Sequence, residues 1–221
     1  VAGITITGLP SGNRRKRATV NGSVADQTMN ITVADVEIAH LAFIGNATQT
    51  GSAYVDYSAA ANGLWVHDCV FDFTAATAST SILGLDATGA AAQVTVERCT
   101  FISDGAFGAG LDMTATVDGL VRDCEFLAQG GTWAAALTTG AATDRCRITN
   151  CHFLDFNGTI TAGIDGTGAT IADGVAVNLC SFGENVTVGI DNYDAGECQI
   201  SENYDYGIGS TDGGILIVAI T

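Results

Sequence analysis

The chain has 221 residues, of which 47% are hydrophobic and only 14% charged, and it carries a formal net charge of −16. Twenty-eight glycines against one proline, with no window of sustained helical apolar spacing, exclude a helical or coiled-coil body. The acidic balance argues against nucleic acid as a partner, because such a body repels phosphate, and the longest apolar run, Ile215 to Ile220, is too short for a membrane-spanning helix.

Val1 leads directly into the strand-like run Ile4-Thr5-Ile6-Thr7, and the chain is expected to be a processed piece whose repeat continues upstream. Residues 1 to 12 read as a partial coil, with Ile4, Ile6 and Leu9 in positions later held by Val36, Ile38 and Leu41. Next comes Asn13-Arg14-Arg15-Lys16-Arg17, with four of the chain's eight basic residues, while the rest of the chain holds all 24 acidic ones. Arg14, Arg15, Lys16 and Arg17 are therefore the candidate partner contact, a basic end able to meet the acidic flank of a neighbouring subunit. A solvated loop is the plainer alternative.

From Ile31 onward the chain repeats. The pattern Val66-Cys69-Phe71 returns as Val96-Cys99-Phe101, Val121-Cys124-Phe126, Ile148-Cys151-Phe153 and Val177-Cys180-Phe182. An earlier copy, Ile38-Leu41-Phe43, has Leu in the Cys slot, and a decayed last copy reads Ile200-Asn203-Asp205. The mean interval is about 27 residues. Cys146 and Cys198 occupy a slot held elsewhere by Val36, Leu64, Val94 and Val175. Cysteine thus alternates with Val and Leu, which predicts buried, free and inert thiols rather than disulfides or a zinc site. A shorter strand is read in each repeat at Gly84-Leu85-Asp86, Gly110-Leu111-Asp112, Gly163-Ile164-Asp165 and Gly189-Ile190-Asp191. The final stretch, residues 213–221, is expected to form a terminal strand or an oligomer contact.

A repeat of this length turns one circuit through three short strands and their corners, at about 3.3 Å per residue. Leucine-rich repeats have similar periods, but this chain offers Val, Ile, Cys and Phe where they need spaced leucines. The expected architecture is all-β, one domain over residues 1–221, built as a single-stranded parallel β-helix of about seven to eight coils stacked about 4.8 Å apart.

The strand Val94-Thr95-Val96-Glu97-Arg98-Cys99-Thr100-Phe101 and its copies resemble the right-handed parallel β-helix of the pectin-lyase-like superfamily, and within it the β-helix proteins of phage virions. The resemblance spans roughly residues 1 to 210 and describes the inside of the rod. It implies a non-enzymatic virion structural, decoration or fibre-type protein, a homotrimer in contact with capsid or other virion proteins. The alternatives are an extracellular carbohydrate-active enzyme, either a polysaccharide lyase or a glycosidase, and a bacterial surface adhesin. No basic residue matches the proton-abstracting group of the lyases.

Candidate chemistry centres on a column of aspartates. Asp56, Asp86, Asp112, Asp165 and Asp191 each follow an apolar residue at one place in the repeat, with Thr138 on the remaining rung. Stacked carboxylates raise one another's pKa or recruit cations, so these five are the candidate metal ligands; no cofactor is expected, and Ca2+ is the ion that such a column would take. Asp86 and Asp112 are the candidate catalytic pair, which would also place a glycan on the rod face. The competing reading makes each Asp a cap on the turn after its strand. Arg98 and Arg122 fall at different offsets from their cysteines and so need not share a face. They, Arg145 and Arg147 are read as surface partners of Glu97, Asp123 or Asp144. His40, His67 and His152 also differ in offset, and neither convergence on one rung nor a metal or catalytic cluster is expected of them. Trp65, Trp133, Tyr54, Tyr57, Tyr193, Tyr204 and Tyr206 are read mainly as packing residues.

Overall fold

The structure, a computed structural model, describes residues 4–8, 18–21, 29–45, 52–57, 62–74, 79–88, 92–105, 107–140, 142–167, 174–191, 199–205 and 217–218. These residues form no helix and build three parallel sheets of eight strands each. Every strand but those at the two ends of each sheet pairs with its equivalents in the coils before and after, so the chain is a parallel β-solenoid. Five of its coils carry the complete aliphatic, Cys and Phe rung.

Sheet A holds the aliphatic strand, for example Val36–Ala39, Asn62–His67 and Ala92–Glu97. Sheet B holds the Phe strand, for example Leu41–Ile44, Val70–Asp72 and Thr100–Ser103. Sheet C holds the longer strands Phe107–Met113, Thr132–Gly140 and Thr159–Thr167. The run read from sequence as one Val-to-Phe strand is thus two strands in two sheets.

The corner between them has a fixed construction. The residue before the Cys slot (His40, Asp68, Arg98, Asp123, Asn150, Leu179 or Glu202) takes a left-handed backbone with φ between 48 and 56°. That conformation disfavours most side chains, but here the ladder continues through it. The amide of Asp68 donates to the Glu97 carbonyl at 3.1 Å, and that of Arg98 to the Arg122 carbonyl at 3.1 Å. The next residue turns its side chain inward. The Cys99 thiol then donates to the Glu97 carbonyl of its own corner at 3.3 Å and to the Val66 carbonyl of the preceding coil at 3.7 Å. Cys69, Cys124, Cys151 and Cys180 repeat the pair of contacts. A small apolar side chain with a weak donor suits this corner. The six described cysteines are free and buried; Cys198 lies outside the described residues.

Inside the coils the Phe rung forms a continuous stack. Phe43, Phe71, Phe101, Phe126, Phe153 and Phe182 are fully buried, with neighbouring centroids 4.7 to 5.0 Å apart. The Gly in the Gly-Leu-Asp strand is explained by this stack: a Cβ on Gly163 would lie 2.6 Å from the Phe182 ring, and one on Gly84 2.9 Å from Phe101.

The first coil departs from the sequence reading. Ile4 and Ile6 pair with Val36 and Ile38 as expected, but Ala18 rather than Leu9 stands opposite Leu41. Residues 8–17 separate the two strands of that coil, where the next coils have one or two residues; Leu9 itself lies outside the described residues. At the other end, Ile217–Val218 pairs with sheet C through Ile190 and Asp191.

Candidate functional site

The aspartate column exists as a register. Asn30, Asp56, Asp86, Asp112, Thr138, Asp165 and Asp191 are successive Cα partners at the end of the sheet C strands. Asp56 is buried, at 4% exposure, and Asp86, Asp112, Asp165 and Asp191 are half-buried. Two of the carboxylates cap the following turn: Asp86 Oδ1 accepts the Thr88 amide at 3.0 Å and Asp112 Oδ1 the Thr114 amide at 3.1 Å. Burial pushes the Asp112 pKa up against the opposing hydrogen bond from the Thr114 amide, and the Asp86 charge adds to the rise.

A denser polar group sits on sheet A and its corner. Register places Thr5, Glu37 and Trp65 in one row of the outer face, and Ala39, His67, Glu97 and Arg122 in the next. The left-handed residues His40, Asp68 and Arg98 line the corner beside them. Their side chains make one chain of contacts across five coils. Thr5 Oγ1 donates to Glu37 Oε2 at 3.0 Å. The His67 ring joins Glu37 Oε1, 3.0 Å from Nε2, to Asp68 Oδ2, 2.8 Å from Nδ1. Arg98 grips both oxygens of Asp68 at 3.1 and 2.9 Å, and also donates to Glu97 at 2.7 Å. Arg122 donates to the same Glu97 oxygen at 2.9 Å.

The electrostatics follow these contacts. The Arg98 guanidinium holds the Asp68 carboxyl down at about 2. Burial depresses the His67 pKa, but its hydrogen bonds to Asp68 and Glu37 outweigh burial and leave it raised. The hydrogen bond from His67 in turn lowers Glu37. For Glu97, burial raises the pKa, but the Arg122 and Arg98 hydrogen bonds together leave it lowered.

Two pairs that offset along the strand leaves apart meet here. Arg98 and Arg122 do share a face, because the corner turns Arg98 back toward the Glu97 row. His40 and His67 also meet, with ring centroids 5.6 Å apart and edge-on. Their different offsets from the Cys slot suggested separate surroundings, but the left-handed corner at His40 brings it beside the His67 rung. His152 stands apart, with Nδ1 2.6 Å from Ser181 Oγ. Arg145 pairs with Asp118 at 2.6 Å and with Asp144.

Of the aromatic candidates, Trp133, Tyr54 and Tyr57 are buried, as packing residues should be. Trp65 is 41% exposed and lies over His67, centroids 4.2 Å apart. It borders an open groove of ≈ 440 Å³ that also touches Thr5, Glu37, Gly63 and Gln93. Tyr193, Tyr206 and the basic cluster Arg14, Arg15, Lys16 and Arg17 lie outside the described residues. No family model, curated protein or solved structure matches the chain.

Proposed function

We propose that the chain is a structural rod, a β-solenoid of the virion-exterior or fibre type, acting as a rigid spacer within a homotrimeric assembly. One observation carries this reading: the polar side chains of the outer face and corner tie one coil to the next. Glu37 reaches His67, Asp68 reaches Arg98, Glu97 reaches Arg122, Asp118 reaches Arg145, and Asp123 reaches Asn150. Each pair spans adjacent coils, so the polar exterior reinforces the stacking that the core begins. The kinship with pectin-lyase-like and phage virion β-helices belongs to this proposal and rests on the Val-Cys-Phe repeat.

A second reading, a carbohydrate-active enzyme, is favoured by one feature: Asp112, with its pKa raised by burial, sits one rung from Asp86. Turnover on a panel of neutral and acidic polysaccharides separates the two. The structural reading expects none, together with salt-dependent association with capsids and a trimer mass in sedimentation. Turnover that disappears in Asp86→Asn or Asp112→Asn would establish the enzyme instead.

A further inference from the structure

We propose that His40, His67 and Asp68 form a surface site for a divalent transition-metal ion of the zinc or cobalt kind. One donor atom from each of the three lies within 4.8 Å of the other two. The His67 Nδ1 and Asp68 Oδ2 atoms are 2.8 Å apart, joined by a hydrogen bond, and a separation of about 0.5 Å more brings them to tetrahedral positions around an ion. Metal bonds of about 2.0–2.1 Å to imidazole nitrogen and carboxylate oxygen bring tetrahedral donors to about 3.3 Å from one another. A small swing of the half-buried His40 ring completes the set.

The surroundings match what a metal-bound imidazole needs. Histidine ligands commonly donate their second ring N–H to a carboxylate, which fixes the tautomer and the ring plane. Glu37 Oε1 sits 3.0 Å from His67 Nε2 in that role, so Nδ1, which faces Asp68, is the nitrogen that takes the ion once its proton has left. Arg98 holds Asp68 in place from the opposite side through both carboxylate oxygens. Two imidazoles and one carboxylate select zinc-like ions over calcium, which takes oxygen ligands. The neighbouring guanidinium charge and the open fourth position set the affinity well below that of a closed structural zinc site. An imidazolium His67 loses its Nδ1 proton to solvent as the ion binds, whereas a neutral ring protonated on Nδ1 moves that proton to Nε2 and releases none.

Trp65 supplies the readout, since its ring lies 4.2 Å from His67, while Trp133, the other of the two tryptophans, is buried. The full chain is titrated with Co2+ in a phosphine reductant, following tryptophan fluorescence and the visible absorption of the metal. Saturable 1:1 quenching with weak nitrogen and oxygen ligand-field bands is expected. His67→Gln abolishes it, His40→Gln and Glu37→Gln weaken it at least tenfold, and His152→Gln leaves it unchanged. His40 is partly exposed, so a His40→Gln protein with an unaltered melting curve separates ligand loss from unfolding. Absent saturation, equal quenching in wild type and His40→Gln, or an intense thiolate-to-cobalt band would each overturn the site.

Discussion

Phe101 and Phe126 lie ring over ring, with centroids 4.9 Å apart and planes 5° from parallel. Near-parallel rings at this separation fall in the range of stacked aromatic pairs. Here the ladder imposes the geometry, because parallel strands are about 4.8 Å apart and each coil presents the same residue at the same place. Removing Phe126 therefore empties a space walled by rings above and below. Phe126→Ala is expected to cost about 3–5 kcal/mol in urea unfolding. Phe182→Ala should cost less, because the next rung beyond Phe182 is Asp205 rather than another ring. Equal losses at both positions would show that the stack contributes nothing beyond simple burial.

Gly163 marks where the stack meets sheet C. A methyl group there falls 2.6 Å from the Phe182 ring and 2.8 Å from the Gly189 carbonyl, and backbone cannot yield as a flexible side chain does. Gly163→Ala is expected to destabilise by about 1–3 kcal/mol through overpacking. Combining it with Phe182→Leu should recover part of the loss, and a double-mutant cycle measures that coupling.

The repeat made most of the fold legible, because a core ladder writes itself into the sequence at fixed spacing. Val66, Cys69 and Phe71 could be read as inward residues since Val96, Cys99 and Phe101 recur at the same interval. The corner was not legible. Its left-handed position holds His40, Asp68, Arg98, Asp123, Asn150, Leu179 and Glu202 in turn, so no residue type marks it, and backbone conformation rather than composition defines it. The polar cluster was hidden for the same reason: offset counting along a straight strand separates His40 from His67 and Arg98 from Arg122, while the bend reunites each pair. Leu9 was misplaced because an insertion between two strands leaves their apolar spacing intact on either side.

The cysteine ladder gives a direct solution test. Burial pushes the thiols of Cys99, Cys124 and Cys151 well above their usual pKa, and that of Cys146 up to about 12. A buried, protonated thiol is a poor nucleophile. The hydrogen bond with Cys151 lowers Cys180 despite burial, so for that thiol it is inaccessibility that blocks reaction. The six described cysteines, all buried, should stay silent toward an aromatic disulfide reagent in the native protein and react together once denaturant unfolds it. Rapid native labelling of any of the six, mapped by peptide mass, would contradict the packed core.

Asp112 separates a turn cap from an acid catalyst. Its folded pKa is raised by burial, so the folded state binds a proton more readily than the unfolded chain does. Ionised Asp112 therefore subtracts stability at neutral pH, and the penalty lifts as pH falls through its folded pKa. Asp112→Asn keeps an oxygen for the Thr114 amide and removes the charge. It should melt at the same temperature as wild type or higher at pH 7, with the difference vanishing on the acid side. Asp112→Ala loses the acceptor and should cost about 1 kcal/mol.

Glu97 behaves in the opposite sense. Its carboxylate is held by Arg98 at 2.7 Å and Arg122 at 2.9 Å, and its side chain is only 7% exposed while both arginines are nearly half exposed. Its folded pKa lies below the ordinary value of 4.5 despite burial. The stability it supplies is complete above about pH 4.5 and is lost as pH falls through the lower folded value. Solvent screens the arginines, so the contribution is about 1 kcal/mol rather than the larger figure of a closed ion pair. Glu97→Gln should lower the melting temperature at pH 7 and flatten the fall below pH 4.5. Raised salt should narrow the gap between variant and wild type, because the two guanidinium groups face water and the carboxylate does not. An unchanged acid limb in Glu97→Gln would mean that Glu97 does not carry this part of the pH dependence, and that the remaining coil-to-coil pairs set the acid stability of the rod.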